Sequence, residues 1–374
     1  MTQYLQEQLM KRKHAGNLRE LKVTQNLVDF SSNDYLGLAR STKLKELLLQ
    51  EWQSCNSPLN GLGSTGSRLL TGNSPYIQEL ENRIAAFHGY EAGLLFNCGY
   101  MANSGLLSTV AGSQDSIFFD AAVHASTREG LRLSQAKAYP FRHNCLEHLE
   151  NRLKNSRNNG DRFVCIESIY STDGSKAPLK KISQLVKRYN AHLIVDEAHA
   201  VGIFGQEGRG LVAEEHLTSD VFAQIVTFGK ALGTYGAIIL GSKILKKGMI
   251  NFAPSYIYTT ALPFHAVAAI KCSYDLFPSF ETERSHLQEL IRIFTKLILN
   301  KSTTPIQAIN VKGNEAVKLA SRQLIQLGFD VRPLTSPTVK QGNEVLRICL
   351  HAFNTEEEIN NLCKHIKQRI SSHA

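Results

Sequence analysis

The chain alternates short apolar runs with longer segments in which apolar residues recur at helical spacing. Short runs rich in β-branched and aromatic residues, bounded by polar or glycine positions, are typical of buried strands. We therefore predict strands over residues 92–96, 116–120, 163–167, 192–196, 225–228 and 237–240. Amphipathic patterns predict helices over 74–88, 101–111 and 179–189. This alternation predicts an α/β fold, a mostly parallel sheet with helices on both faces.

The pattern changes after Pro278. A long helix over 282–300 is followed by short strands and helices, which indicates a smaller α+β domain. We predict these strands over 306–311, 330–333 and 344–350, and the helices over 315–327 and 355–371. The expected domains are an N-terminal arm (1–43), a large domain (44–278) and a small C-terminal domain (279–374).

Composition excludes several classes of protein. The 374 residues are 43% hydrophobic and 20% charged, and 26 Gly with 10 Pro are too few for a fibrous or low-complexity chain. The N-terminus has no apolar stretch of the kind a secretory signal needs, and no apolar run is long enough to span a membrane. The 7 cysteines are scattered, odd in number and without a C-x-x-C pair, which disfavours disulfides and a metal site. We expect a cytoplasmic protein.

The formal charge of +9 permits an anionic partner. Basic residues are dispersed, with runs no longer than Lys11-Arg12-Lys13 and Lys246-Lys247, and no aromatic residues interleave with them. Neither nucleic acid nor a membrane is therefore the expected partner.

Chemically useful residues follow the predicted strands. In an open α/β sheet, ligands bind beyond the carboxyl ends of the strands. Gly99 lies in a strand-to-helix turn that suits an anion, and His124 and Lys230 each follow another strand. Asp196 and His199 lie together at the end of a further strand. Each feature alone is commonly structural: a helix cap, a turn residue or a surface charge. Their occurrence at successive strand ends favours a single site.

This set of residues fits pyridoxal phosphate. That cofactor needs a lysine for its aldehyde, an acid beside its ring nitrogen and a cradle for its phosphate. Asp196 and Lys230 are separated by one predicted strand, as expected for neighbouring strands of one sheet.

Several motifs in order give the chain a specific resemblance. Residues 196–199 (Asp-Glu-Ala-His), followed by 227–230 (Thr-Phe-Gly-Lys), resemble the α-oxoamine synthases among fold-type I pyridoxal-phosphate enzymes. The glycine-rich segment 61–72 and the segment 31–38 match that family too, and so do 205–210 and 256–263. The resemblance extends from about residue 17 to 353.

The resemblance implies a role for each catalytic and cofactor-binding residue. Lys230 would bind the cofactor covalently and remove the α-proton of the substrate, Asp196 would pair with the pyridine nitrogen, and His124 would stack on the ring. His199 and Ser171 would form hydrogen bonds near the phenolic oxygen of the cofactor. Gly99, Tyr100 and Thr227 would lie on the phosphate side of the cofactor.

The resemblance also implies a dimer and a substrate set. Thr259 and Thr260 would reach the phosphate of the neighbouring subunit, which implies a homodimer with shared active sites. Arg347 matches the arginine that holds the amino-acid carboxylate, since a guanidinium suits a carboxylate. The remaining substrate positions are Arg19, Asn33, Thr338 and His124.

The family resemblance further implies the substrates. The segment 31–38 is typical of members that condense L-alanine with a pimeloyl thioester, carried on CoA or on an acyl carrier protein. Members that use glycine or serine with other acyl-CoA substrates remain alternatives, because Thr335 stands where many alanine-using members have an arginine near the acyl chain. A cofactor-binding scaffold without activity is disfavoured by the complete Lys230, Asp196 and His124 set.

Overall fold

A computed structural model describes residues 2–21, 23, 25–55, 61–156 and 160–370. It divides into two compact units. The large unit consists of the described residues of Leu36–Tyr170 and Lys176–Thr282. The small unit combines the described residues up to Tyr35, the segment Ser171–Ser175 and the described residues from Glu283 onward. The expected domain boundaries at residues 43 and 278 stay a prediction.

Seven strands form the sheet of the large unit, in the order β2-β8-β7-β6-β5-β3-β4. These strands are β2 Ala92–Phe96, β3 Ser116–Asp120, β4 Lys137–Phe141, β5 Arg162–Glu167, β6 His192–Asp196, β7 Val221–Thr227 and β8 Ala237–Gly241. Only β8 runs antiparallel to its neighbours, β2 and β7. All other pairs are parallel, so the predicted α/β fold is confirmed.

Helices of the large unit connect and cover these strands. They are α2 Thr42–Ser54, α3 Pro75–His88, α4 Gly99–Thr109, α5 Ala125–Leu133, α6 Leu146–Lys154, α7 Leu179–Arg188, α8 Leu211–Glu214, α9 Lys243–Phe252, α10 Pro254–Ile257 and α11 Phe264–Leu276. Their ends follow local chemistry. In α3, for example, the Ser74 hydroxyl accepts the Ile77 N–H at 3.2 Å, Pro75 opens the first turn, and Gly89 ends the helix with φ 78°.

The small unit contains two small sheets. Val28–Asp29 (β1) pairs in parallel with Phe329–Asp330 (β10). The other sheet is antiparallel, in the order β11-β12-β9, with strands Arg332–Leu334, Val345–Cys349 and Ile306–Asn310. Its helices are α1 Gln3–His14, α12 Glu281–Ile298 (which begins two residues before this unit), α13 Asn314–Gln326 and α14 Glu356–Ile370.

Two local differences from the sequence predictions have physical causes. The strand β4 was not predicted, because its residues are mostly exposed and include Pro140, and this edge strand lacks an apolar run. The strand predicted over 330–333 is two short strands, β10 and β11, which pair with different partners.

Among the described residues, no helix combines the length and the apolar character needed to cross a membrane.

Candidate active site

The carboxyl ends of six strands share one edge of the large sheet. The strands β3, β4, β5, β6 and β7 are mutually parallel, and β2 points the same way because both β2 and β7 are antiparallel to β8. The turns that follow these strands therefore lie along one edge, where open α/β sheets bind ligands.

Asp196 ends β6 and is a buried carboxylate, only 5% exposed. The side-chain amide of Asn103, on α4, donates to its Oδ2 at 2.8 Å, and the Ala198 backbone N–H donates to its Oδ1 at 2.9 Å. Both carboxylate oxygens thus have a donor, which is what a buried carboxylate requires.

His124 lies at the N-terminus of α5. Its backbone N–H donates to the Glu167 carboxylate at 2.5 Å, and its Nδ1 lies 2.8 Å from the Ser126 hydroxyl. Burial lowers the pKa of the His124 imidazole below its usual value, while the Asp196 carboxylate opposes this shift and the Lys230 ammonium adds to it. The charges of Asp196 and Lys230 are therefore close enough to affect the His124 imidazole.

Lys230 follows β7 by three residues, and its Nζ donates to the Thr227 hydroxyl at 3.3 Å. Gly99 opens α4 beside the same threonine: a Cβ at position 99 would lie 2.5 Å from Thr227 Cγ2. The first turn of α4 has no acidic residue, and the Cys98 cap makes no side-chain bond to it. This close, uncapped helix N-terminus suits a phosphate.

The other predicted cofactor residues of the large unit lie after β6, on α4 and in the segment that follows α10. His199 is buried (5% exposed), three residues after Asp196. Tyr100, the second residue of α4, is exposed. The Asn97 amide donates to the Thr260 carbonyl at 2.8 Å and to the Thr259 hydroxyl at 3.3 Å.

Arg347 lies on β12 of the small unit, and protein partners hold its guanidinium on all three nitrogens. Its Nε donates to the Ser171 carbonyl at 2.6 Å, and its Nη2 donates to Asn33 Oδ1 at 3.0 Å. Its Nη1 lies 3.0 Å from the buried Cys349 sulfur. The plane of the guanidinium is therefore set before any substrate binds. Asn33, predicted as an acyl-substrate residue, contacts the predicted carboxylate-binding arginine.

The two remaining substrate positions also meet in the small unit. The Arg19 guanidinium donates to the Thr338 hydroxyl at 3.3 Å, on an exposed surface. The small unit thus contains Ser171 and all predicted substrate residues except His124, whereas the large unit contains His124 and the other predicted cofactor residues.

Sequence reasoning missed Asn103 and Ser126, which contact Asp196 and His124. Asn103 lies among the buried residues of α4, where a polar side chain is unusual. Ser126 follows His124 by two residues and is 1% exposed. A polar residue within a predicted apolar helix face was the available signal for Asn103, but its partner could not be read from the sequence.

Comparison with known proteins identifies the family of this chain. The aminotransferase class I and II family matches residues 25–366. An 8-amino-7-oxononanoate synthase of Emericella nidulans is 39% identical, over 97% of this chain and 94% of the relative. A second, from Saccharophagus degradans, is 37% identical over 96% of this chain and 94% of the relative.

Solved structures show the same fold. A serine palmitoyltransferase of Sphingomonas wittichii aligns with a TM-score of 0.85 at 27% identity, over 93% of this chain and 88% of that one. An 8-amino-7-oxononanoate synthase of Francisella tularensis aligns with a TM-score of 0.79 at 28% identity, over 92% of this chain and 98% of that one.

The fold and the residues at the strand ends define an α/β enzyme of fold type I. The chain belongs to the aminotransferase class I and II family. The relatives that share 37–39% of its residues over nearly its whole length are 8-amino-7-oxononanoate synthases.

Proposed function

We propose that this enzyme condenses L-alanine with a pimeloyl thioester, with loss of CO2, to form 8-amino-7-oxononanoate and a free thiol carrier for biotin synthesis. One observation carries the proposal. Asp196, with its buried carboxylate, ends β6, and Lys230 follows the adjacent parallel strand β7, in a chain 39% identical to an enzyme of that name.

The cofactor is pyridoxal phosphate, and the large unit fits it. The Asp196 carboxylate is buried and accepts a hydrogen bond on each oxygen, which suits the ring nitrogen of the cofactor. The uncapped N-terminus of α4 beside Thr227 suits its phosphate. When bound, the cofactor withdraws electrons from the α-carbon of the amino acid. Asp196 would keep the ring nitrogen protonated, and the first turn of α4 at Gly99 and Tyr100, together with Thr227, would hold the phosphate.

Lys230 is the proposed covalent anchor and base. Its Nζ would take the α-proton of alanine and return a proton to the same carbon after CO2 leaves. His124 would lie against the ring and contact the substrate, and His199 and Ser171 would bond near the phenolic oxygen. The lowered pKa of His124 favours a neutral imidazole in this role.

Besides His124, the residues proposed to bind the substrates belong to the small unit. Arg347 would bind the alanine carboxylate with a guanidinium whose plane is already set by Ser171, Asn33 and Cys349. The acyl substrate would contact Asn33 and the Arg19–Thr338 pair.

We further propose a cytoplasmic homodimer with shared active sites. Thr259 and Thr260 would contact the cofactor phosphate of the neighbouring subunit. The seven cysteines, all free thiols, fit a reducing compartment.

A substrate matrix tests the function. Alanine, glycine and serine are each assayed with acyl-CoA and acyl-carrier-protein substrates of several chain lengths. The proposal expects the highest kcat/KM for alanine with a pimeloyl thioester. Highest activity with serine and a long acyl chain would instead indicate the chemistry named for the serine palmitoyltransferase relative.

The variant Lys230→Ala tests the assignment of the lysine. It should lose turnover and the visible absorption of the cofactor-loaded protein, because no other amine is proposed to bind the aldehyde. Lys247→Ala, at an exposed position on α9, is the matched control and should keep both. Retained turnover in Lys230→Ala would contradict the assignment.

A further inference from the structure

A chain of hydrogen bonds in the large unit joins Asp196 to His124, the two residues predicted to contact the cofactor ring. It runs from Asp196 Oδ2 to Asn103 Nδ2 (2.8 Å), from Asn103 Nδ2 to Ser126 Oγ (3.1 Å), and from Ser126 Oγ to His124 Nδ1 (2.8 Å). Asn103, Ser126 and Asp196 are 3%, 1% and 5% exposed. Water therefore has little access to these side chains, and the hydrogen-bond partners of each are protein groups.

The chemistry of the groups sets the direction of each bond. A carboxylate only accepts, so the Asn103 side chain must present its NH2 group to Asp196. That NH2 group also donates to Ser126 Oγ. The backbone N–H of Ser126, which can only donate, points at His124 Nδ1 at 3.2 Å, so Nδ1 is an acceptor. The Ser126 hydroxyl then donates its proton to Nδ1, and the imidazole carries its hydrogen on Nε2.

We propose that Asn103 and Ser126 are positioning residues: Asn103 orients the Asp196 carboxylate, and Ser126 holds His124 in its neutral Nε2–H tautomer. The significance for catalysis rests on the proposed function, in which Asp196 and His124 both contact the cofactor ring. The Nε2–H group would then be available as a donor to the substrate, while Nδ1 stays engaged with Ser126.

The surrounding charges are consistent with a neutral ring. Burial lowers the pKa of His124, and the Lys230 ammonium acts in the same direction. The Asp196 carboxylate acts against this lowering of the pKa. The Glu167 carboxylate is engaged by the backbone N–H of His124. Two donors on Nδ1 favour the unprotonated nitrogen, since a hydrogen bond to the neutral form disfavours the charged one.

The test uses the full-length, cofactor-loaded protein and the variants Ser126→Ala and Asn103→Leu. Nitrogen NMR of ¹⁵N-histidine protein reports the tautomer, and the His124 signals are identified by their loss in His124→Asn. Native protein should show a protonated Nε2 and an accepting Nδ1. Ser126→Ala should give a mixed tautomer and lower kcat by ~10-fold, the order expected for one lost buried hydrogen bond.

Asn103→Leu should lower kcat by about 10-fold to 100-fold and move the pH midpoint of the visible absorption, because a hydrogen bond to a charged group is lost. Ser126→Ala carries the test where Asn103→Leu does not fold.

Two matched controls separate positioning from general packing. Thr127→Val removes a neighbouring hydroxyl that is equally buried and has no hydrogen-bond partner in the described part of the chain. Ser104→Ala removes a buried hydroxyl from α4 that bonds only within its own helix, to the Met101 carbonyl, among the described contacts. Both should keep the native tautomer, absorption and kcat.

An unchanged tautomer and kcat in Ser126→Ala would overturn the proposal, and so would equal losses in Thr127→Val. The NMR readout does not depend on turnover. A native protein that shows the Nε2–H tautomer but lacks condensation activity would reject the proposed function and leave the hydrogen-bond assignment standing.

Discussion

At the residue scale, protein partners orient the guanidinium of Arg347, the residue proposed to bind the amino-acid carboxylate. Its three guanidinium nitrogens contact Ser171, Asn33 and Cys349. These contacts depend on a planar fork with several donors, which an ammonium group cannot reproduce.

Replacing Arg347 with lysine should therefore raise the KM for the amino acid by roughly 30-fold to 100-fold, equivalent to about 2–3 kcal/mol for a charge-assisted pair. The acyl-thioester KM should change much less. Steady-state kinetics against each substrate in turn measure the two effects. Arg332→Lys, on the adjacent strand β11 where the arginine pairs with Asp330, is the control and should leave the amino-acid KM near native. An unchanged amino-acid KM in Arg347→Lys would remove Arg347 from the carboxylate site.

Glu197, next to Asp196, is a fully buried carboxyl that the proposed reaction does not use. Its Oε1 accepts the backbone N–H groups of Leu211 (2.9 Å) and Val212 (3.1 Å), and its Oε2 accepts Gln224 Nε2 at 3.1 Å. Burial raises the pKa of Glu197 from 4.5 to about 8, although the backbone bonds oppose the shift.

This raised pKa predicts a pH dependence of stability. Between pH 4.5 and 8, Glu197 in the folded protein keeps a proton that it releases in the unfolded chain. The stabilising contribution of Glu197 to the free energy of unfolding is therefore fully present below pH 4.5 and is lost as the pH rises through 8. The Glu197→Gln side chain cannot ionise. Between pH 4.5 and 8, the free energy of unfolding of this variant should therefore fall less steeply with rising pH than that of the native protein. The two slopes should differ by up to about 1.4 kcal/mol per pH unit. Urea unfolding at several pH values measures the slope. The exposed Glu289→Gln should keep the native slope, and a native slope in Glu197→Gln would contradict the prediction.

At the element scale, α4 carries Asn103, and α5 carries Ser126 and has His124 as its cap residue, so the separation of the two helices sets the geometry of this hydrogen-bond chain. A glycine allows their close approach. A Cβ at Gly130 would lie 2.9 Å from the Asn103 carbonyl oxygen, 2.9 Å from Leu107 Cβ and 3.0 Å from Ser104 Cα. Two of these three are backbone atoms, so the helices must move apart to accept a methyl group.

Gly130→Ala should therefore destabilise the protein by about 1–3 kcal/mol through overpacking, despite the better helix propensity of alanine. Gly248→Ala, in α9 with no atom within 4 Å of the added Cβ, isolates the propensity effect and should stabilise by about 0.5–1 kcal/mol. Thermal unfolding of the two variants measures the difference. Equal melting temperatures would show that α4 and α5 tolerate a wider separation.

Elements with strong local patterns were predicted well, and those defined by distant partners were not. The strands β2, β3 and β6 have the bounds predicted from their apolar runs, because burial on both faces selects such runs. The strand β4 has an exposed pattern and is defined by its pairing with β3. The hydrophobic pattern of one strand does not show which other strand it pairs with.

At the scale of the whole molecule, the charge of +9 acquires a specific interpretation. The proposed acyl substrate is an anionic thioester, and a positive protein raises the rate at which such a substrate is encountered. Surface charges are screened beyond about 10 Å at 0.1 M salt.

The KM of the acyl thioester should consequently rise with ionic strength, by roughly 2-fold to 10-fold between low and high salt. The KM of alanine, a zwitterion, serves as the internal control and should stay nearly constant. Steady-state kinetics over a salt series make the comparison. A flat acyl-thioester KM would leave the positive charge without this role.

The amino-acid sequence by itself determined the α/β class, the bounds of β2, β3 and β6 and the location of the other buried strands. These features follow from local rules, because the side-chain pattern of a strand or helix is repeated within a few residues. The tertiary structure alone decided which of those residues meet. Asn103 reaches Asp196 across 93 positions, and β1 pairs with β10 about 300 residues away. Such contacts depend on complementary surfaces that form only when distant segments are brought together, and no local pattern contains that information.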